Sequence, residues 1–194
     1  DAVHYYIDGQ LLPSVDQVTD LRITLDSKLR FSIHINKIVK KSITRAKLIL
    51  KCFYSRDTST LIEAFKVYVR PIIEYCSPAW SPHLVKDIIL LESVQRKFTK
   101  RLPGMRTSPY SQRLKQLNLE RLDVRRLRAD LMLAYKIVFG IISDTDISQF
   151  FTVCRNEYNT RGHQFRLLAT RANRDTRHYF YSLRVVRVLN SLPA

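Results

Sequence analysis

The chain has 194 residues, enough for one domain or one and a half, and its 45% apolar content excludes wholesale disorder. Against 17 Asp and Glu stand 33 Lys and Arg, a net charge of +16 that repels itself in a compact state unless a polyanion offsets it. Nucleic acid is the first such partner to consider; no apolar run reaches the ~18 residues of a membrane span, and Leu131–Ile142 is interrupted by Lys136. Cys52, Cys76 and Cys154 form no C-x-x-C pair, so neither a disulfide framework nor a zinc knuckle is supported. A reducing compartment fits, which implies an intracellular protein of nucleus or cytoplasm with no membrane partner. Opening on Asp1 rather than Met is what a fragment would show.

Basic charge falls in blocks. Residues 1–26 sum to −4, 27–56 to +9, 57–91 to −1, 92–140 to +8, 141–154 to −2 and 155–194 to +6. Residues 4–25 read as strands: Tyr5, Ile7 and Leu11-Leu12 flank the turn signal Asp8-Gly9, and Leu21, Ile23 and Leu25 alternate with polar neighbours. So few strands are marginal alone and suggest the edge of something larger.

From Ser32 the period becomes helical. Ile35, Ile38/Val39, Ile43, Ala46, Leu50 and Phe53 make one stripe of a helix of seven turns or so. Lys37, Lys40, Lys41, Arg45 and Lys51 lie largely opposite, without an acid. A second helix begins after the N-cap Asp57, with Leu61, Phe65, Tyr68 and Ile72 inward and a kink or stop at Pro71. Pro78 and Pro82 bracket Trp80, read as the packing anchor of an irregular connection. A third helix runs from about Lys86 to Leu102, with Ile88, Leu91, Phe98 and Leu102 inward and Arg96, Lys97, Lys100 and Arg101 outward, stopped by Pro103-Gly104. A short helix at Pro109–Leu117 precedes a long one from about Glu120 to Phe139, whose apolar face is assigned to Val124, Leu127, Leu131, Ala134/Tyr135 and Val138. Arg121, Arg125, Arg126 and Arg128 crowd its first half, and Gly140 ends it. Beyond it, Thr160–His163 reads as a turn, Phe165–Ala169 as a strand and His178–Leu192 as a last helix. The whole is mainly α, divided as residues 1–31, 32–142 and 143–194.

Parts for catalysis are missing. Two-metal chemistry needs carboxylates sharing ions about 4 Å apart, and no two acids are adjacent here. Asp144 and Asp146 form the one D-x-D, a spacing common in loops and helix caps; with His163 they would make a small metal-dependent nuclease the minor alternative. Four glycines in total leave no phosphate loop. Parts for holding a duplex are present: cationic helices that neutralise phosphates, interleaved with Phe53, Tyr54, Tyr68 and Tyr179–Tyr181. Of the aromatics at helical spacing, Phe53, Phe65 and Tyr68 are expected to fill the core.

Several segments together resemble reverse transcriptases of non-LTR retrotransposons, the jockey-like LINE elements. Asp20-Leu-Arg-Ile-Thr-Leu-Asp26 with Leu29-Arg-Phe-Ser-Ile-His-Ile35 is similar to the family's last palm strands. Val69-Arg-Pro-Ile-Ile-Glu-Tyr75 and Ser77-Pro-Ala-Trp-Ser-Pro82 carry the strongest likeness, followed by Leu91-Glu-Ser-Val-Gln-Arg-Lys-Phe98. Arg125–Leu131, Thr160–His163 and Leu189-Asn-Ser-Leu-Pro193 continue in the family's order. Arg22 stands where the family usually has Gly, and Leu189 where it has Trp.

The resemblance implies a helical thumb-like bundle with a short N-terminal β remnant of a polymerase palm. It implies the C-terminal part of an RNA-directed DNA polymerase that grips template–product nucleic acid without sequence preference. RNA–DNA hybrid or duplex and the parent's palm and fingers would be its partners. Catalytic aspartates and magnesium would belong to the parent; for this piece no enzymatic activity, cofactor or metal is expected. The contact residues expected are Lys37, Lys40, Lys41, Arg45, Arg96, Lys97, Lys100, Arg101, Arg125 and Arg126. Alternatives are an independent basic module docking an acidic protein, or an inactive relic.

Overall fold

A computed structural model of the chain describes residues 5–142, 146–154 and 166–192. Strands β1 (Tyr6–Ile7) and β2 (Gln10–Leu11) pair antiparallel around Asp8 and Gly9, whose φ values of 48° and 76° supply the left-handed turn that sequence predicts. Strands β3 (Gln17–Asp20) and β4 (Ile23–Asp26) form a second antiparallel pair, with Val18 opposite Leu25. Their connection is Leu21-Arg22, at φ 44° and 67°. Leu21, expected as a strand residue, is therefore a turn residue, 76% exposed. Arg22 occupies a conformation that a Cβ disfavours.

Only β4 reaches the interior. Ile23 is buried and Leu25 packs beside it, while residues 5–22 are exposed on both faces. The Thr24 N–H donates to His34 Nδ1 at 3.3 Å, and the His34 ring meets Trp80 edge-on at 5.3 Å. That contact fastens β4 to the helices.

Helix α1 (Ser32–Cys52) has 21 residues, about six turns and ~32 Å, slightly shorter than expected. Ile35, Val39, Ala46 and Ile49 are buried, and Ile38, Ile43, Leu50 and Phe53 flank them, as the stripe predicts. Asp57 caps α2 (Thr58–Tyr68) by accepting the Thr60 N–H at 2.8 Å. Leu61 and Phe65 turn inward, but Tyr68 is 53% exposed. Pro71 starts α3 (Arg70–Glu74) rather than merely ending α2, because its missing N–H costs nothing in a first turn. The Trp80 connection is likewise a single helical turn, α4 (Ser77–Trp80), with Pro78 near its start. Trp80 is 1% exposed and its Nε1–H donates to the Tyr75 carbonyl at 2.8 Å, which makes it the anchor expected.

Helix α5 (Val85–Thr99) crosses α1 and places Leu91, Val94 and Phe98 in the core, with Phe98 stacked on Phe65 at 4.6 Å. After α6 (Tyr110–Gln116), α7 (Leu122–Val138) departs from expectation. Its buried residues are Leu122, Arg126, Asp130, Ala134 and Ile137; Val124, Leu127 and Tyr135 are 40–50% exposed. The inward face is thus rotated by about one position, since two charges on it are matched from neighbouring helices.

The far end of α7 belongs to a second core with Phe151, Leu167, Tyr181, Val185 and Val186. Leu167 joins Val153 through one isolated bridge instead of a strand. The last helical region splits into α8 (Asp175–His178) and α9 (Tyr181–Leu189). Arg184 ties the cores together: Nε and Nη2 donate to the Asp130 carboxylate, both at 2.9 Å, and Nη2 also to the Pro78 carbonyl at 2.6 Å. The Thr160–His163 turn lies outside the described residues.

Candidate nucleic-acid interface

Six cations and no carboxylate line α1, because Lys37, Lys40, Lys41, Arg45, Lys47 and Lys51 occupy the positions its apolar stripe leaves free. All six are exposed. They face two flanks. Lys37 and Lys41 border a cavity of about 560 Å³ that also takes in Arg22, Thr24 and Tyr75, and Lys37 Nζ donates to Thr24 Oγ1 at 3.2 Å. Lys47 borders a groove of about 250 Å³ floored by Ile43, Ala46, Leu50, Val94 and Phe98.

The opposite wall of that groove is Lys97 and Arg101, one helical turn apart at the end of α5. Arg96, Lys97, Lys100 and Arg101 are all exposed, as expected, and they sit where a helix dipole favours positive charge. Arg96 lies over the Tyr110 ring at 4.9 Å. The α1–α5 crossing thus brings the +9 and +8 sequence blocks together at one groove, with Lys47 on one side, Lys97 and Arg101 on the other and an apolar floor between. Among the described residues, ion pairs involve Lys66, Arg70, Arg121, Arg125, Arg128 and Arg184, and none of the α1 or α5 cations. These charges are therefore available to an external anion at no cost in broken pairs.

Arg125 and Arg126 are a correction. Arg125 donates to both Glu74 oxygens, from Nε at 2.5 Å and from Nη2 at 3.0 Å, with Glu120 also 3.6 Å away. Those partners raise its pKa, Glu74 most. Arg126 is 4% exposed, within the field of Glu92, Asp123, Asp130 and Glu74; burial lowers its pKa against their pull. Neither side chain is presented to a ligand, since the fold itself has used the charge. Glu92 helps hold this seam: it accepts the Tyr110 O–H and the Leu122 N–H, the latter at 3.0 Å. Burial first, then that bond, pushes the Tyr110 phenol up.

Lys47 lines the groove although the expected contact residues do not include it; its i, i+7 relation to Lys40 is the signal in the sequence that puts it on the same face. The aromatics divide as expected for Phe65, which is core, whereas Tyr54 is fully exposed and Tyr179 40% exposed. Asp146 caps a 3-10 turn, Ile147–Gln149, by accepting the Ser148 N–H at 2.9 Å; Asp144 and His163 lie outside the described residues. Among the described residues no cluster of three metal-ligating side chains occurs, and no helix is long and apolar enough to cross a membrane.

An uncharacterized protein of Caenorhabditis elegans is 26% identical over 136 residues, 69% of each chain. No family model and no solved structure matches.

Proposed function

We propose that this chain is the nucleic-acid-holding C-terminal part of an RNA-directed DNA polymerase similar to those of non-LTR retrotransposons. In this reading α1 and α5 form the thumb-like grip on a template–product duplex, and the carboxylates and magnesium of the chemistry belong to the parent enzyme. The observation that carries it is the α1–α5 channel, walled by Lys and Arg that enter no ion pair among the described residues, with no acid on α1. Backbone charge neutralised by such side chains gives affinity without sequence preference. The exposed apolar residues of 5–22, among them Tyr6, Ile7, Leu11 and Val18, suit burial against the parent's palm and fingers.

The test is a salt titration of binding to an RNA–DNA hybrid and to DNA duplexes of unrelated sequence. With the eight exposed cations expected from the sequence (Lys37, Lys40, Lys41, Arg45, Arg96, Lys97, Lys100 and Arg101) in contact, log K falls by about 0.9 per contact per decade of salt, a slope near −7. Affinity drops about 10³–10⁵-fold between ~50 and ~200 mM, alike for all sequences. A flat titration, or retention of an acidic protein after nuclease treatment, refutes the reading.

A further inference from the structure

A second basic cleft lies away from the α1–α5 channel and shares no lining residue with it. Two adjoining cavities, about 190 and about 520 Å³, have Leu29, Arg30, His83 and Thr176 in common. Together they run between the segment before α1, the connection from α4 to α5, and α8. Their combined size is in the range that takes a small organic group.

Its chemistry is distinct from that of the channel. Lys28, Arg30 and Lys86 line it against one carboxylate, Asp175, and none of these cations enters an ion pair among the described residues. In it the His83 and Tyr179 rings stack with centroids 4.2 Å apart and an interplanar angle of 7°, and the His178 ring meets Tyr179 edge-on at 4.9 Å. Tyr179 keeps 40% of its surface exposed and Phe180 beside it 45%. Two rings from elements nearly a hundred residues apart in sequence thus form a platform with apolar surface still uncovered, bordered by unpaired cations.

We propose that this cleft binds an unpaired, single-stranded stretch of nucleic acid, a base stacking on the His83–Tyr179 platform while Lys28, Arg30 and Lys86 hold its phosphates. This rests on the nucleic-acid reading above and adds a second, strand-type-specific site. A paired base has its faces covered by its neighbours in the helix, so only a splayed base reaches a ring inside a concave cleft. Stacking on an exposed aromatic with flanking cations is the general mode for single strands, and it tolerates any base.

The experiment measures anisotropy of the full chain with a labelled oligothymidylate about a dozen nucleotides long, and in parallel with a labelled duplex. Tyr179→Ala weakens the oligonucleotide about 5- to 150-fold, and Tyr179→Phe, which keeps the ring, binds within about twofold of the parent chain. The triple variant K28A/R30A/K86A lowers the oligonucleotide salt slope by about 2, at about 0.7 per contact. In both variants duplex affinity is unchanged. If Tyr179→Ala holds the oligonucleotide as the parent chain does, or loses both ligands equally, the single-strand site is overturned while duplex binding stands. Failure of the parent chain to bind either probe overturns this site and the broader reading together.

Discussion

Replacing Lys47, Lys97 and Arg101 together by Ala tests the channel directly. These three side chains wall the α1–α5 groove, are exposed, and enter no ion pair among the described residues. Each phosphate contact contributes about 0.9 to the slope of log K against log salt, so losing three flattens it by about 2.7. At ~0.1 M salt, a decade below the 1 M reference, the same figure is the loss in log K, about 500-fold. Fluorescence anisotropy with a duplex at several salt concentrations reads both quantities. Thermal melting should be nearly unchanged, since exposed sites away from packing features move stability by less than about 0.5 kcal/mol. Arg125→Ala is the counter-test: it strips a bidentate partner from Glu74 and should lower stability while leaving the salt slope intact. Were the triple variant to bind with the parent slope, or Arg125→Ala to flatten it, the division between free and internal cations would be wrong.

Arg184→Ala leaves Asp130, 3% exposed, without its bidentate partner and frees the Pro78 carbonyl. The expected cost is about 3 kcal/mol, or roughly 6–12 °C in calorimetric Tm; a shift under ~2 °C would show the joint to be dispensable. Arg22→Gly removes the Cβ from a residue at φ 67° and should raise the urea midpoint by about 1 kcal/mol of stability, whereas a lower midpoint would refute the strain argument. Hydrogen bonds from Ser59 and Thr60 pull the Asp57 carboxyl down from its ordinary 3.8 to about 2. A depressed pKa stabilises fully above the ordinary value and fades as pH falls through the lower one. Between about pH 4 and pH 2 the parent chain should therefore lose more stability than Asp57→Asn; identical profiles would remove the cap from the account.

The face of α1 was legible because nothing on it competes: an apolar stripe at helical spacing, with cations elsewhere and no acid to pair them. Asp57 and Asp8-Gly9 were legible because each depends on neighbours within a few residues, and Trp80 because the prolines beside it mark an irregular connection that a large ring can anchor. Helix α7 was not. Val124, Leu127 and Tyr135 recur at helical spacing and suggest a buried stripe, yet the interior takes Arg126 and Asp130. The acids and bases that make this affordable are Glu74, Glu92 and Arg184, some thirty to fifty residues away. Hydrophobic periodicity is blind to partners supplied by tertiary structure. The same distance hid the fate of Arg125 and Arg126, which in sequence look no different from Arg96 and Lys97. The turn at Leu21-Arg22 carries neither Gly nor Asn, so no local sign marked it.

The tie between the two cores that Arg184 makes to Asp130 responds to temperature differently from the apolar packing around it. Ions lose hydration free energy as water warms, so the penalty for keeping them dry shrinks, while the gain per unit of apolar burial levels off. That tie between the two cores accordingly tightens in relative terms on heating.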